Sequence, residues 1–490
     1  MIRKFVKAGS WVLASNIWAK GLNFVLLNVL ARFLNPTGFG LYNAILSSAA
    51  SINQICDMGS TMVLQRSSAR MNELPQDKIG NRFLIIFLIQ LIFNLVFTLA
   101  IYLFPEFFDR LLFHNSITDK PIQLIGLVAV MQIMFQVPLT LIIGLGEFKK
   151  YALRMILSNG IALVATVLTL VIFGISIKFA LWGLLLSLSI NAGLSWWMLK
   201  RVLKQKKVHL RLFNLLKETT QVFREGFVYY LGNILAGAVS NIILIGLFSK
   251  FIGIEKFGYV RIATAMVAVM SIVPNAFHSV NITFLARNEV RGIELKSMQL
   301  RYISVACFLL SMVLICYLNF LIKTFFGAVY LAGREIFVFI ILLNMMIVVS
   351  AVITSFLVSK GHGTYVGVVS SISVVLSIIT SLLLIPKMGI YGYYICQAIA
   401  FGLGFILVTY KEFKEYHYPD LRSLRKLAAV LLLGLGGIIP IFVMEPGVWI
   451  EIYKVIFILC MVLFTVPLAI NETEWTKAME MLKLKFHFNR

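Results

Sequence analysis

Apolar residues in this chain come in long runs, not in the alternating or three-and-four patterns of a soluble core. Residues 11–33, 40–65, 83–104, 122–145, 152–174, 177–199, 227–249, 259–285, 302–325, 335–359, 364–386, 391–410, 427–444 and 447–470 are each dominated by Leu, Ile, Val, Phe and Ala. A bilayer core about 30 Å thick takes roughly 20 apolar residues per helix, so the pattern predicts an all-α integral membrane protein with fourteen spans. The first run has a basic start, MIRKFVKAGS, yet Asn16 and Lys20 interrupt it and it continues to Phe33. It reads as a retained span and not as a cleaved leader. The connections are short, and the longest on the outer side, 105–120, is too small for a soluble domain.

Composition agrees: 60% hydrophobic residues, 13% charged and a mean hydropathy of +0.91. The five cysteines lie singly within apolar runs, a spacing that suits neither a disulfide nor a metal. A net charge of +23 can signal nucleic acid, but such a site clusters its cations on one soluble face, and here they are spread among connections. With the N-terminus cytoplasmic, roughly three quarters of the 44 Lys and Arg fall in the two termini and every second connection, which is the positive-inside arrangement with both termini cytoplasmic. The densest cluster, KRVLKQKKVHLRLFNLLKETTQVFR at 200–224, separates spans six and seven. It reads either as a solvated linker or as a surface helix laying Leu212, Leu216 and Phe223 beside anionic headgroups. The tail carries Trp475, Met479, Leu482 and Phe486 at helical spacing, so it too has the form of an inner-leaflet helix.

The stretch ARFLNPTGFGLYN at 31–43 returns in blurred form as SKFIGIEKFGYV at 249–260. Laying residue 13 on residue 231 without a gap pairs Leu13 with Leu231, Asn23 with Asn241, Leu26 with Leu244, Phe33 with Phe251, Phe39 with Phe257 and Gly40 with Gly258. The second copy begins directly after the basic linker. That predicts two six-helix bundles of the same orientation, related by a pseudo-two-fold along the membrane normal, plus two extra C-terminal helices. The expected organisation is an N-terminal bundle over 1–199, a cytoplasmic linker over 200–226, a second bundle over 227–412, helices thirteen and fourteen within 413–470, and a cytoplasmic tail over 471–490.

The ordered motifs LARFLNPTGFGLY, DMGSTMVLQRSSAR (57–70), GLGEFKKYA (144–152), FFGAVYLAGREI (325–336), SKGHGTY (359–365) and IPKMGIYGYYI (385–395) resemble the polysaccharide-repeat-unit flippases. These are the Wzx-type branch, serving O-antigen, capsule or exopolysaccharide, of the superfamily that also holds multidrug antiporters and the lipid II flippase. The resemblance covers essentially the whole chain. It implies a central cavity lined by spans one, two, seven and eight, in the bacterial cytoplasmic membrane. It also implies that an undecaprenyl-pyrophosphate-linked oligosaccharide crosses by alternating access, with membrane lipids, polysaccharide polymerase and glycosyltransferases as partners.

An ionisable group at mid-bilayer costs roughly 2.5 to 3.5 kcal/mol on insertion scales and is a functional candidate by default. Lys20 lies about 15 Å deep at 1.5 Å per residue, sharing a helical face with Asn16 and Asn23. Asp57 lies near the same level in span two. Two readings of Lys20 stand: a cavity cation for pyrophosphate, or a structural partner to Asp57. Asp57 is the candidate for coupling to H⁺ or Na⁺; no other cofactor and no metal is expected. Hydroxyls and amides at Ser47, Ser51, Asn241, Ser271, Asn275 and His278 complete the candidate sugar-binding set, although Ser, Thr and Asn also glue membrane helices together. Asn275 is the repeat partner of Asp57, and Pro274 beside it loosens its helix. Arg261 is read as snorkelling to the outer headgroups.

A drug or cation antiporter of the same superfamily favours an acidic, aromatic cavity over a cationic one. A membrane enzyme of glycan assembly needs a reactive site in a sizeable loop, which the short outer connections do not offer. No G-x-x-x-x-G-K-[ST] phosphate loop is present, so nothing in the chain points to ATP-driven transport.

Overall fold

The structure is a computed structural model that describes residues 2–69, 75–113, 122–268, 270, 289–416, 436, 440 and 448–469. Among the described residues the protein is helical, with no strand. The helices are α1 (Ile2–Phe33), α2 (Pro36–Asp57), α3 (Ser60–Ala69), α4 (Gln76–Leu103), α5 (Pro105–Phe113), α6 (Gln123–Gly144), α7 (Phe148–Phe173), α8 (Ile177–Lys206) and α9 (Leu215–Asn233). They continue with α10 (Ser240–Leu247), α11 (Ile254–Val267), α12 (Glu289–Cys316), α13 (Arg334–Ser359), α14 (Gly363–Met388), α15 (Ile390–Tyr416) and α16 (Val448–Ala469).

Eight helices among the described residues are long and apolar enough to cross a membrane, where the apolar runs predict fourteen spans. They match the expected spans three to six and nine to twelve. Of the other runs, the first and the fourteenth are covered by α1 and α16, while the second and the seventh are interrupted. Span two is broken at Met58 and Gly59, both left-handed with φ of 48° and 72°, and restarts as α3. A side chain at Gly59 would lie 2.2 Å from the Gly226 carbonyl oxygen, so both the turn and the close approach select glycine. Span seven is made of the end of α9, a π-helical stretch Ile234–Val239, α10 and a second π-helical stretch Phe248–Ile252. Much of span eight and nearly all of span thirteen lie outside the described residues.

Contacts divide the chain into two compact units. The first comprises Met1–Val269, Phe325–Phe337 and Gly367–Ala400, and the second Met270–Thr324, Val338–Val366 and Phe401–Arg490. In the first unit, Asn35 caps α2 by accepting from the Gly38 amide at 2.7 Å, with Pro36 opening the helix. The repeated Phe-Gly motifs then meet each other. A side chain at Gly40 would lie 2.1 Å from the Ile254 carbonyl oxygen, and one at Gly258 would lie 3.1 Å from the Gly40 backbone. The duplicated glycines are therefore where α2 and α11 cross at backbone distance. Tyr330 closes this corner, donating to the Ala31 carbonyl at 3.0 Å and meeting Phe39 and Tyr259 edge-on. Arg32 also donates to the Phe325 carbonyl at 2.9 Å.

An apolar core in the same unit gathers Leu64 of α3, Phe83 and Ile86 of α4, Ile142 of α6 and Leu199 of α8, with Val208 and Val222 from the linker. Trp196 meets Phe83 and Phe87 at 5.8 and 5.0 Å between ring centres. Arg154, in the first turns of α7, is 1% exposed. It donates to Ser195 Oγ at 3.1 Å and to Asn191 Oδ1 at 2.6 Å, and lies over the Phe135 ring.

In the second unit, His362 and Lys411 both pair with Glu415, so the turn before α14 is tied to the end of α15. Glu451 and Lys454, isolated charges in span fourteen, satisfy each other at 2.6 Å. Such an i, i+3 pair lets a charged couple sit on an apolar helix.

Candidate functional site

The helix break at Met58 and Gly59 determines what Asp57 does. Because α3 restarts at Ser60, Asp57 precedes a helix N-terminus, and its Oδ1 accepts from the Thr61 amide at 2.9 Å, as a capping carboxylate does. The same oxygen accepts from Gln90 Nε2 of α4 at 2.6 Å, from Ser60 Oγ at 3.2 Å and from Thr61 Oγ1. Gln90, 3% exposed, donates also to Ser60 Oγ at 2.8 Å. One carboxylate thus ties together α2, α3 and α4. The sequence reading does not single out Gln90; its one signal there is an amide in the middle of an apolar run.

Lys20 takes a different place. Its Nζ donates to the Ala268 carbonyl oxygen at 3.2 Å, at the C-terminal end of α11. A cation there answers the carbonyl end of a helix. The structural pairing of Lys20 with Asp57, considered from their equal depth, is corrected on this geometry, in which no ion pair joins the two. The α2–α3 break turns the Asp57 carboxylate into the Thr61–Gln90 network, and Lys20 is drawn to α11. Asn16 and Asn23, on the same helix as Lys20, are exposed.

Span two supplies glue as well as polarity. Ser51 is fully buried and donates back to the Ser47 carbonyl at 2.9 Å. Asn43 does the same to Phe39. Ser47 Oγ accepts from Arg261 Nη2 of α11 at 2.5 Å. The snorkelling expected of Arg261 is therefore overturned: the guanidinium points back at span two and lies over the Phe257 ring at 5.0 Å, because a helix crossing at glycine distance puts a hydroxyl within its reach. Asn241 is half-buried on α10. Ser271, Asn275 and His278, with Pro274, lie outside the described residues. In the first unit Asp57 thus sits in a network of hydroxyl and amide donors, while Lys20 and Arg261 each make a separate contact, at the end of α11 and against α2.

The fold recurs in solved transporters. The lipid II flippase MurJ, in an inward closed conformation, matches with a TM-score of 0.73 at 13% identity, over 92% of this chain and 97% of that one. The MATE multidrug transporter DinF-BH matches at 0.59 and 17% identity, over 83% and 95%. A transporter of the MOP superfamily from Pyrococcus furiosus matches at 0.54 and 13%, over 84% and 96%. At such identities the likeness is one of fold. No curated protein matches the chain. The family model described as "Polysaccharide biosynthesis protein" matches residues 5–282, more than half of the sequence. The chain accordingly belongs to the polysaccharide biosynthesis protein family and is a multi-pass membrane protein with the MurJ- and MATE-like fold.

Proposed function

We propose that this protein is a flippase that carries undecaprenyl-pyrophosphate-linked oligosaccharide repeat units across the bacterial cytoplasmic membrane by alternating access. The two six-helix bundles, the fourteen spans and the cytoplasmic termini belong to this reading. So do the O-antigen or related glycan product and the polymerase and glycosyltransferase partners. The observation that carries it is Lys20, a cation within span one of a polysaccharide-family chain whose ammonium donates to the Ala268 carbonyl at the end of α11. An ammonium carries three donors, so it can hold the Ala268 carbonyl and reach a phosphate oxygen at once. Lys20→Ala is expected to abolish surface glycan at unchanged protein level, and Lys20→Arg to keep part of it. Normal glycan export by Lys20→Ala at matched expression sinks the reading.

Coupling enters through Asp57, in a form the geometry revises. The ionised carboxylate caps α3 and accepts from Gln90; a proton or sodium ion taken up there competes for the same oxygen and loosens the joint between α2 and α3. That gives the coupling ion different contacts in two states, as any driven equilibrium requires. Asp57→Asn is expected to fold but to flip lipid-linked substrate in proteoliposomes at a rate indifferent to imposed H⁺ or Na⁺ gradients, where the parent protein responds. A mutant that still follows the gradient removes Asp57 from the coupling step.

A further inference from the structure

Between α8 and α9 the chain leaves helical geometry over residues 207–214, bounded by two left-handed residues, Lys207 at φ 55° and Asn214 at φ 48°. Leu216 and Phe223 lie on α9, whereas Leu212 lies in this non-helical stretch, which with the first turn of α9 forms a strap with two different faces. The inner face is pinned to α4. Asn81 donates through Nδ2 to the Phe213 carbonyl and accepts through Oδ1 from the Phe213 amide, both at 3.0 Å, so one side-chain amide pairs with a backbone as a neighbouring strand would. Val208 enters the apolar core, and the His209 carbonyl lies where a side chain at Gly80 would be.

The two acids of the region turn toward α4, Glu218 buried and Glu225 at the rim. Glu218 pairs with Arg82 at 3.1 Å and Lys78 at 3.4 Å, and Glu225 pairs with Arg82 at 3.4 Å. The outward face of 207–217 therefore presents cations and large apolar groups with no acid among them. Residues 209–217 are all exposed; Leu212 and Leu215 are 52% and 53% exposed and Leu216 is 84% exposed. Lys204, Lys207, Arg211 and Lys217 stand exposed beside them.

Depth decides what covers this face. Gly80 and Asn81 come just before Phe83, where the apolar run of α4 begins, so the strap is tied at the level where hydrocarbon gives way to headgroups. Leucines interleaved with cations at that level match one occupant, the headgroup–acyl boundary of a leaflet containing anionic phospholipid. We propose that the 207–217 strap is a docking surface for anionic lipid. α9 continues through the π-helical stretch Ile234–Val239 into α10, so a lipid-anchored strap also sets the depth at which span seven starts. The face and its occupant do not rest on the transport reading; only the assignment to the inner leaflet rests on the topology proposed with it.

The test uses the full-length protein with its native cysteines replaced by serine and Leu216→Cys carrying an environment-sensitive nitrobenzoxadiazole label. It is reconstituted in phosphatidylcholine vesicles with or without phosphatidylglycerol. Nitroxide placed high on the acyl chain is expected to quench the label several-fold more than aqueous iodide does, and more strongly with phosphatidylglycerol present. The combined variant Lys204→Gln/Lys207→Gln/Arg211→Gln/Lys217→Gln is expected to remove the phosphatidylglycerol effect. Strong iodide quenching without nitroxide quenching overturns the proposal and leaves the face to a soluble partner. An unaltered phosphatidylglycerol effect in the combined variant overturns the charge argument. The nitroxide lipid occupies both leaflets, so these outcomes are independent of topology. The leaflet is read separately from Lys206→Cys, expected to resist an impermeant thiol reagent in intact cells.

Discussion

Gly40→Ala is expected to remove most export and to lower the thermal midpoint of the purified protein by several degrees. The added carbon would lie 2.1 Å from the Ile254 carbonyl oxygen and 2.9 Å from its carbon. Both are backbone atoms, which cannot swing aside as a side chain can, so α2 and α11 must separate. Overpacking typically destabilises by about 1–3 kcal/mol, and a backbone obstacle places Gly40→Ala at the upper end. A graded series checks the cause. Gly258→Ala meets Gly40 at 3.1 Å and is expected to lose less. Gly160→Ala meets nothing within 4 Å and, inside α7, is expected to be neutral or slightly stabilising. Equal midpoints for Gly40→Ala and Gly160→Ala contradict the close crossing.

Arg82→Leu is expected to lose most of the folded protein on extraction. It leaves Glu218, 6% exposed, with Lys78 as its remaining ion-pair partner, and removing one member of a buried pair costs about 3–5 kcal/mol through the charge left behind. The double change Arg82→Leu/Glu218→Leu removes both charges and is expected to recover much of that loss, since apolar replacement of a whole buried pair is often close to neutral. Glu225 sits at the rim, with 41% of its side chain exposed, and returns to water. The check is the unfolding midpoint of the two single variants and the double. Losses that simply add show that the two side chains are not coupled.

The legible and illegible parts of this protein divide by the range of the interactions involved. Spans three to six and nine to twelve are readable because a helix in lipid satisfies its own backbone and needs only a long apolar run. The Phe-Gly duplication is readable as a repeat, yet nothing in a linear string says that its two glycines touch. The basic cluster at 200–224 is readable as a charge, whereas its strap form depends on Asn81, far away in sequence, offering an amide at the right height.

Polar residues within spans show the same division more sharply. By itself the sequence determined a helical, multi-span membrane protein of a polysaccharide family and singled out Lys20 and Asp57 as charges within apolar runs, because hydropathy and motif order are properties of the string. Only the tertiary structure decided their partners: Asp57 with Thr61 and Gln90, Lys20 with Ala268, Arg261 with Ser47. Depth along a helix fixes one coordinate of a side chain. Its partner depends on rotation and on breaks such as Met58–Gly59, which short-range hydrogen bonds select among neighbours brought close by packing.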